Sequence, residues 1–289
     1  PDHVSTKDGN TLRILAIGNS FSQDAVEQYL WELFNADGQK TIIGNLYIGG
    51  CTIDRHYGNI SNGTSEYEYR KVVEGKKSES KGCSLSAGIL DEPWDVITVQ
   101  QASGSSGIYS TYSNLPALVK YVGETATNKD AVIVFHQTWA YQSTSTHDEF
   151  PKYGSNQTSM YNAIRGALDQ AYDDNPSLAG VIPSGTAIQN ARTSYMGDSF
   201  NRDGYHLELN YGRFTAACTW FEALSGKDVT ANTWKPASVS DNQAAVAKAA
   251  AHKACQKPMG VTELSEYKNP PTSDSLTLPE VGEDDGGTI

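Results

Sequence analysis

Ile14-Leu15-Ala16-Ile17-Gly18-Asn19-Ser20-Phe21-Ser22 is the stretch on which the fold turns. The apolar run up to Ile17 reads as a strand buried on both faces. Gly18-Asn19 turns the chain sharply. From Ser22 to Ala36 the spacing of Val26, Leu30, Leu33 and Phe34 is that of a helix with one apolar face. Ser20 therefore stands at the carboxyl end of a strand, where open α/β sheets bind their ligands. It also stands beside a helix start, whose free N–H groups and dipole favour negative charge. One reading makes Ser20 a helix cap. The other makes it a nucleophile whose tetrahedral oxyanion is held by those N–H groups.

Outward from this stretch, strands and helices alternate. Residues 41–48 read as a second strand ending in Gly49-Gly50, and 94–99 as a third ending in Gln100-Gln101-Ala102-Ser103. Residues 131–135 read as a fourth, running on into His136-Gln137-Thr138-Trp139, and 178–182 as a fifth. Helical patterns lie over 84–90, 115–126 (with Pro116 in the first turn), 159–172, 209–225 and the alanine-rich 244–255. Residues 54–80 are polar and read as an insertion, a lid or a small hairpin around 66–73. Short apolar strands separated by helices imply a parallel sheet covered on both faces. The expectation is one three-layer α/β/α, flavodoxin-like domain with a five-stranded parallel sheet over 12–257. Residues 1–11 form a lead-in, and 258–289 a linker or disordered acidic tail.

Composition narrows the function. The 289 residues suffice for a large core. A formal net charge of −12 argues against nucleic acid or an anionic membrane surface as partner. No apolar run approaches the roughly 18 residues of a membrane span. The chain starts Pro1-Asp2-His3, which reads as a trimmed start and leans toward an exported protein whose signal is not visible. Cys51, Cys83, Cys218 and Cys255 match no zinc spacing. Cys218 lies in an apolar helical run and reads as a buried thiol, while a Cys51–Cys83 bridge is conceivable in an exported protein. No metal-ligand cluster, phosphate-cradling loop or Gly-x-Gly-x-x-Gly fingerprint is present.

The second key site is Asp203-Gly204-Tyr205-His206, between the last strand and the last core helix. A carboxylate and an imidazole three residues apart on a short loop can meet around one turn. Hydrolytic serine chemistry needs that pair: His takes the serine proton, and Asp fixes the imidazole tautomer and stabilises the imidazolium. The rival reading has Asp203 capping the following helix. Oxyanion donors are available at strand ends: the N–H of Gly50, unshielded by a side chain, and the amide of Gln100 or Gln101.

Gly18-Asn19-Ser20-Phe21-Ser22, Gly49-Gly50-Cys51-Thr52 and Asp203-Gly-Tyr-His206, in that order, resemble the blocks of the SGNH (GDSL-type) hydrolase superfamily. The strings from Trp94 to Ser103 and from His136 to Tyr141 are similar to an SGNH-like family of largely uncharacterised bacterial proteins. The resemblance covers about residues 12–226. It implies Ser20 as nucleophile and oxyanion donor, Gly50 as second donor, His206 as general base and Asp203 as its orienting partner. The superfamily's Gly-x-Asn-Asp block after strand three is replaced here by Gln100-Gln101-Ala102-Ser103. Gln101, ahead of Gln100, is the expected substitute donor.

Trp139, Tyr141 and Tyr109 follow strand ends on the active side of the sheet and are candidate aromatic platforms for a sugar ring, with core packing as the rival. His136 reads as a hydrogen-bonded structural histidine. His56 and His147 read as solvent-facing, and so do Arg192 and Arg202. The expectation is a serine ester hydrolase for short acyl esters, acetyl on a carbohydrate foremost, acting on a small-molecule or glycan ester without metal or organic cofactor. Its turnover should rise as His206 loses its proton. A lipase-like or thioester hydrolase is the alternative within enzymes. A catalytically silent carbohydrate-binding module on the same scaffold is the alternative outside them.

Overall fold

The structure, a computed structural model, describes residues 10–271. Its centre is a sheet built from β1 (Thr11–Gly18), β2 (Lys40–Tyr47), β3 (Tyr67–Val73), β4 (Lys76–Cys83), β5 (Val96–Val99), β6 (Val132–His136) and β7 (Leu178–Ile182). The strand order is β4-β3-β2-β1-β5-β6-β7. The five strands β2-β1-β5-β6-β7 are parallel, in the flavodoxin-like order expected. The hairpin β3–β4 adds two antiparallel strands at the β2 edge.

β1 shows why this chain folds in three layers. Ile14 and Ala16 face one apolar core, with α1 (Ser20–Val26), α2 (Leu30–Ala36), and, packed outward, α7 (Ser184–Arg192), α8 (Tyr211–Ser225) and α9 (Asp241–Gln256). Leu15 and Ile17 face the other, with α3 (Ile53–Asn62), α4 (Leu85–Asp91), α5 (Leu115–Thr125) and the carboxyl-terminal half of α6 (Gln157–Asp174). Strand alternation thus divides one apolar run between two cores.

Three expectations need correction. The single helix over 22–36 is two helices, α1 and α2. The polar insertion 54–80 contains α3, capped by Thr52, whose Oγ1 accepts from Arg55 N–H, and closed by left-handed Gly63. Its inward face carries Ile53, His56 and Asn59, too polar a set to read as helix from the sequence. The rest of the insertion is the expected hairpin, longer than 66–73: β3–β4, turned by Glu74 and Gly75, both at positive φ. It extends the sheet and is tied to the end of α1 by Arg70 and Lys77 on Glu27, and to the end of α4 by Lys71 on Asp91 and Glu92. Finally, 258–271 does not leave the domain. Leu264 is buried, Thr186 Oγ1 donates to the Pro258 carbonyl, and Thr262 N–H donates to Asn190 Oδ1 on α7. The lead-in before residue 10 and the tail after 271 lie outside the described residues. Among those described, no helix is long and apolar enough to cross a membrane.

Candidate active site

Ser20 is the first residue of α1, directly after the end of β1. Asn19 caps that helix, its Oδ1 accepting from Phe21 N–H at 2.9 Å, so capping falls to Asn19 and leaves the Ser20 hydroxyl available. That hydroxyl lies 2.8 Å from His206 Nε2. His206 Nδ1 lies 2.5 Å from Asp203 Oδ2. Residues separated by 186 positions in the chain thus form the proton path that serine hydrolysis requires. Asp203 Oδ1 accepts the N–H groups of Tyr205 and His206, which fixes the carboxylate toward the imidazole. Burial would raise the Asp203 carboxyl, but the hydrogen bonds from His206 and these two N–H groups prevail and hold it below the usual carboxylate range.

The loop that carries Asp203 and His206 is pinned on several sides. Asp24 on α1 is fully buried and binds Arg202 Nη1 at 3.0 Å, Arg213 Nε at 2.9 Å and Leu207 N–H at 2.9 Å. Trp139 Nε1 donates to the Tyr205 carbonyl at 2.7 Å, and Asn201 Nδ2 donates to it at 3.2 Å. Gln142 N–H donates to the Gly204 carbonyl. Nothing in the sequence joins position 24 to positions 202–213, so the reading of motifs missed Asp24. The nearest signal is the pair of arginines flanking the Asp-x-x-His loop. Arg202 and Arg192 are not free surface charges. Arg192 is buried and holds Asn201 Oδ1, the Ala140 carbonyl and Asp198.

Among the expected oxyanion donors is Gly50. It is exposed, takes φ +63°, and sits in the turn closed by Cys51 N–H on the Ile48 carbonyl. Among the described residues nothing accepts from the N–H of Gly50 or Ser20. The two glutamines are a correction. Gln101, the preferred donor, gives its amide to the carbonyl and hydroxyl of Thr111, and its Oε1 accepts from Ile53 and Ala102 N–H. Gln100 gives its amide to Asn19 Oδ1 at 2.9 Å. Both side chains are buried and committed, so neither amide is available to an oxyanion.

The aromatic platforms are also corrected. Trp139 and Tyr141 are fully buried. Trp139 stacks on Phe21 with centroids 4.3 Å apart, forming the wall behind the His206 loop. Tyr141 hydrogen-bonds Ser103. Tyr109 gives its hydroxyl to the Gln170 carbonyl and to Asp174 on α6. The partly exposed aromatic beside the triad is Tyr205, its ring 4.0 Å from His206 and flanked by His147; Tyr47, at the end of β2 under the Arg70 guanidinium, lies within electrostatic reach of Tyr205. Neither position carried a sequence signal beyond adjacency to a motif.

His136 is buried and bonded at both ring nitrogens, as expected of a structural histidine. His56 is fully buried rather than solvent-facing, 2.7 Å from Tyr67 OH and 3.4 Å from Cys51 Sγ. All four cysteines are free thiols, so the Cys51–Cys83 bridge is absent. Far along α8, Glu222, Asp228 and His252 bring three donor atoms within 4.8 Å of one another, a grouping of metal-ligating types that their spacing conceals. Glu222 Oε1 accepts from Val229 N–H, and Asp228 caps the following turn, so both carboxylates already serve the protein.

The sequence matches the family Domain of unknown function (DUF4886) over residues 13–254. It is similar to a crystal structure of a DUF4886 family protein from Bacteroides uniformis, with 50% identity and a TM-score of 0.88, over 90% of this chain and 100% of that one. A protein from Slackia heliotrinireducens, assigned as a candidate SGNH hydrolase, shows 20% identity and a TM-score of 0.49 over 74% of this chain and 98% of its own. An acetylxylan esterase from Geobacillus stearothermophilus shows 10% identity and a TM-score of 0.46 over 76% and 95%. Among curated proteins none matches.

Proposed function

The chain belongs to the DUF4886 family, and from that premise we propose that it is a serine ester hydrolase for short acyl esters, acetyl groups on a carbohydrate foremost. The observation that carries this reading is the line from Ser20 Oγ through His206 to Asp203, at 2.8 Å and 2.5 Å. His206 Nε2 takes the proton as Ser20 Oγ attacks the ester carbonyl, and Asp203 stabilises the imidazolium. The N–H groups of Ser20 and Gly50 receive the oxyanion. The alcohol leaves with the proton from His206, and water activated by the same nitrogen releases the acid from the acyl-enzyme.

The substrate class rests on the mouth of the site. Tyr205 and Tyr47 are better placed as platforms than the buried Trp139 and Tyr141, since partly exposed tyrosines offer an apolar face and a polar tip to a sugar ring. The net charge of −12 favours a neutral substrate over an anionic one.

The test is release of p-nitrophenol from its acetate ester by the wild type and by Ser20→Ala, with mass spectrometry after treatment with a fluorophosphonate. Turnover lost in Ser20→Ala, with the label on Ser20, is the expected outcome. Absence of both turnover and label in the wild type would leave the silent binding module as the better reading.

A further inference from the structure

Four polar side chains follow four neighbouring strands across the carboxyl edge of the sheet, β1-β5-β6-β7. They are Asn19 after β1, Gln100 after β5, His136 ending β6 and Ser184 after β7. Each is at most 2% exposed. Ser184 Oγ lies 2.8 Å from His136 Nε2, and His136 Nδ1 lies 3.1 Å from Gln100 Oε1. Gln100 Nε2 reaches Asn19 Oδ1 at 2.9 Å, and Asn19 Nδ2 reaches the Cys51 carbonyl at 3.3 Å.

One backbone group fixes the direction of every bond in this row. Phe21 N–H can only donate, so the Asn19 atom facing it is Oδ1. The Gln100 atom facing that oxygen must then be its NH₂, which turns Oε1 toward His136. A carbonyl oxygen only accepts, so His136 carries its proton on Nδ1. Its bare Nε2 therefore accepts from the Ser184 hydroxyl. Burial agrees with this neutral tautomer, since it pulls His136 down to about 3. A row of bonds pointing one way polarises itself and becomes stiffer than its links taken singly. The row also explains Gly18. A Cβ there would stand 2.7 Å from Gln100 Oε1 and 2.5 Å from Ser22 Oγ, so only glycine lets Gln100 cross the end of β1.

The row ends where the proposed chemistry begins. The Asn19 carboxamide touches Phe21, the residue after Ser20, and Cys51, the residue after Gly50. A single side chain thus registers the segments that carry both backbone donors. We propose that Gln100, His136 and Ser184 are positioning residues that lock Asn19 and thereby set the geometry of the oxyanion hole. This inference rests on the ester hydrolase reading of the Ser20 site. Gln100 then serves the hole indirectly, through Asn19, and not as the substitute amide donor.

The test uses the full chain and p-nitrophenyl acetate, with kcat, KM and thermal midpoint measured for Gln100→Leu, His136→Phe, His136→Gln and Ser184→Ala. Losing an oxyanion donor outright costs about 10²–10³ in kcat, and an ångström of misplacement can cost about 10². Gln100→Leu and His136→Phe are therefore expected to lose about 10–10² in kcat with KM within about twofold. His136→Gln, whose amide can donate to Gln100 and accept from Ser184, should recover most of that loss. Ser184→Ala, the mildest change and the farthest along the row from Ser20, keeps the test available if the larger substitutions fail to fold, and should still lower kcat several-fold. Folded variants with reduced thermal midpoints but wild-type kcat would overturn the inference while leaving the hydrolase reading intact. A wild type without turnover, and without fluorophosphonate label on Ser20, would remove the hydrolase reading and this inference with it.

Discussion

At the scale of single residues, the depressed Asp203 carboxyl has a kinetic consequence. Asp203 stays ionised well below neutral pH, so in the proposed reaction its carboxyl adds no second proton to the acid limb. The logarithm of kcat/KM should therefore fall with a slope of one on the acid side, and a slope of two there would count against this assignment. Asp203→Asn keeps the shape of the site but removes the charge that favours the reactive tautomer. A loss on the order of 10³–10⁴ in kcat is expected, with a thermal midpoint close to wild type. Tyr205 presents a different case, because its ring lies beside His206 and its hydroxyl is not part of the proton path. Tyr205→Ala is expected to raise KM for an acetylated oligosaccharide more than for p-nitrophenyl acetate. Equal effects on the two esters would mean that Tyr205 does not hold a sugar.

At the scale of elements, the joint between α1 and the 202–207 loop is the vulnerable one. Asp24 meets Arg202, Arg213 and Leu207 N–H from a fully buried position, whereas both arginines retain some access to water. Asp24→Asn leaves those cations without their counter-charge. The cost should be about 2–3 kcal/mol, below that of a wholly buried pair because the arginines can turn toward solvent. Since the same loop carries His206, kcat should drop as well. Chemical denaturation and steady-state kinetics on one preparation would show both effects, and a stability loss with unchanged kcat would mean that the loop is held without Asp24. The β3–β4 turn offers the opposite kind of change. Glu74 occupies a positive φ of 52° before Gly75, a conformation that Asn tolerates much better than Glu. Glu74→Asn should raise stability by about 0.5–1 kcal/mol, measurable as a higher midpoint in denaturant.

At the scale of the whole molecule, the pH dependence of stability follows from two buried imidazoles. His56 and His136 are pulled down to about 3 by burial, and at His56 the nearby Arg55 adds to the shift. Both are neutral in the folded chain, whereas an unfolded histidine titrates near 6.5. Below that pH the unfolded chain binds more protons than the folded one. Their stabilisation is therefore complete above about 6.5 and is lost as pH falls toward 3. Each contributes a slope of about 1.4 kcal/mol per pH unit. Unfolding free energy measured between pH 7 and 4.5 should fall along this line, and His136→Gln should remove one of the two slopes. Stability that stays level down to pH 5 would show that these imidazoles are not held neutral.

The sequence by itself determined the five parallel strands, the placement of Ser20 at a strand end and the pairing of Asp203 with His206. These features are local or nearly so: apolar runs set strands, a Gly-Asn turn sets the corner, and three-residue spacing brings a carboxylate to an imidazole. Only the tertiary structure decided which side chains face the site. Gln100, Gln101, Trp139 and Tyr141 all follow strand ends, and nothing along the chain distinguishes an amide or ring that points to substrate from one that points to a neighbouring strand. Contacts with the loops and helices that meet at the sheet's carboxyl end make that choice, because a polar group entering there must find its partner or lose its hydrogen bonds. Asp24 and the row from Ser184 to Asn19 exist for the same reason, as long-range partners that no spacing in the sequence displays.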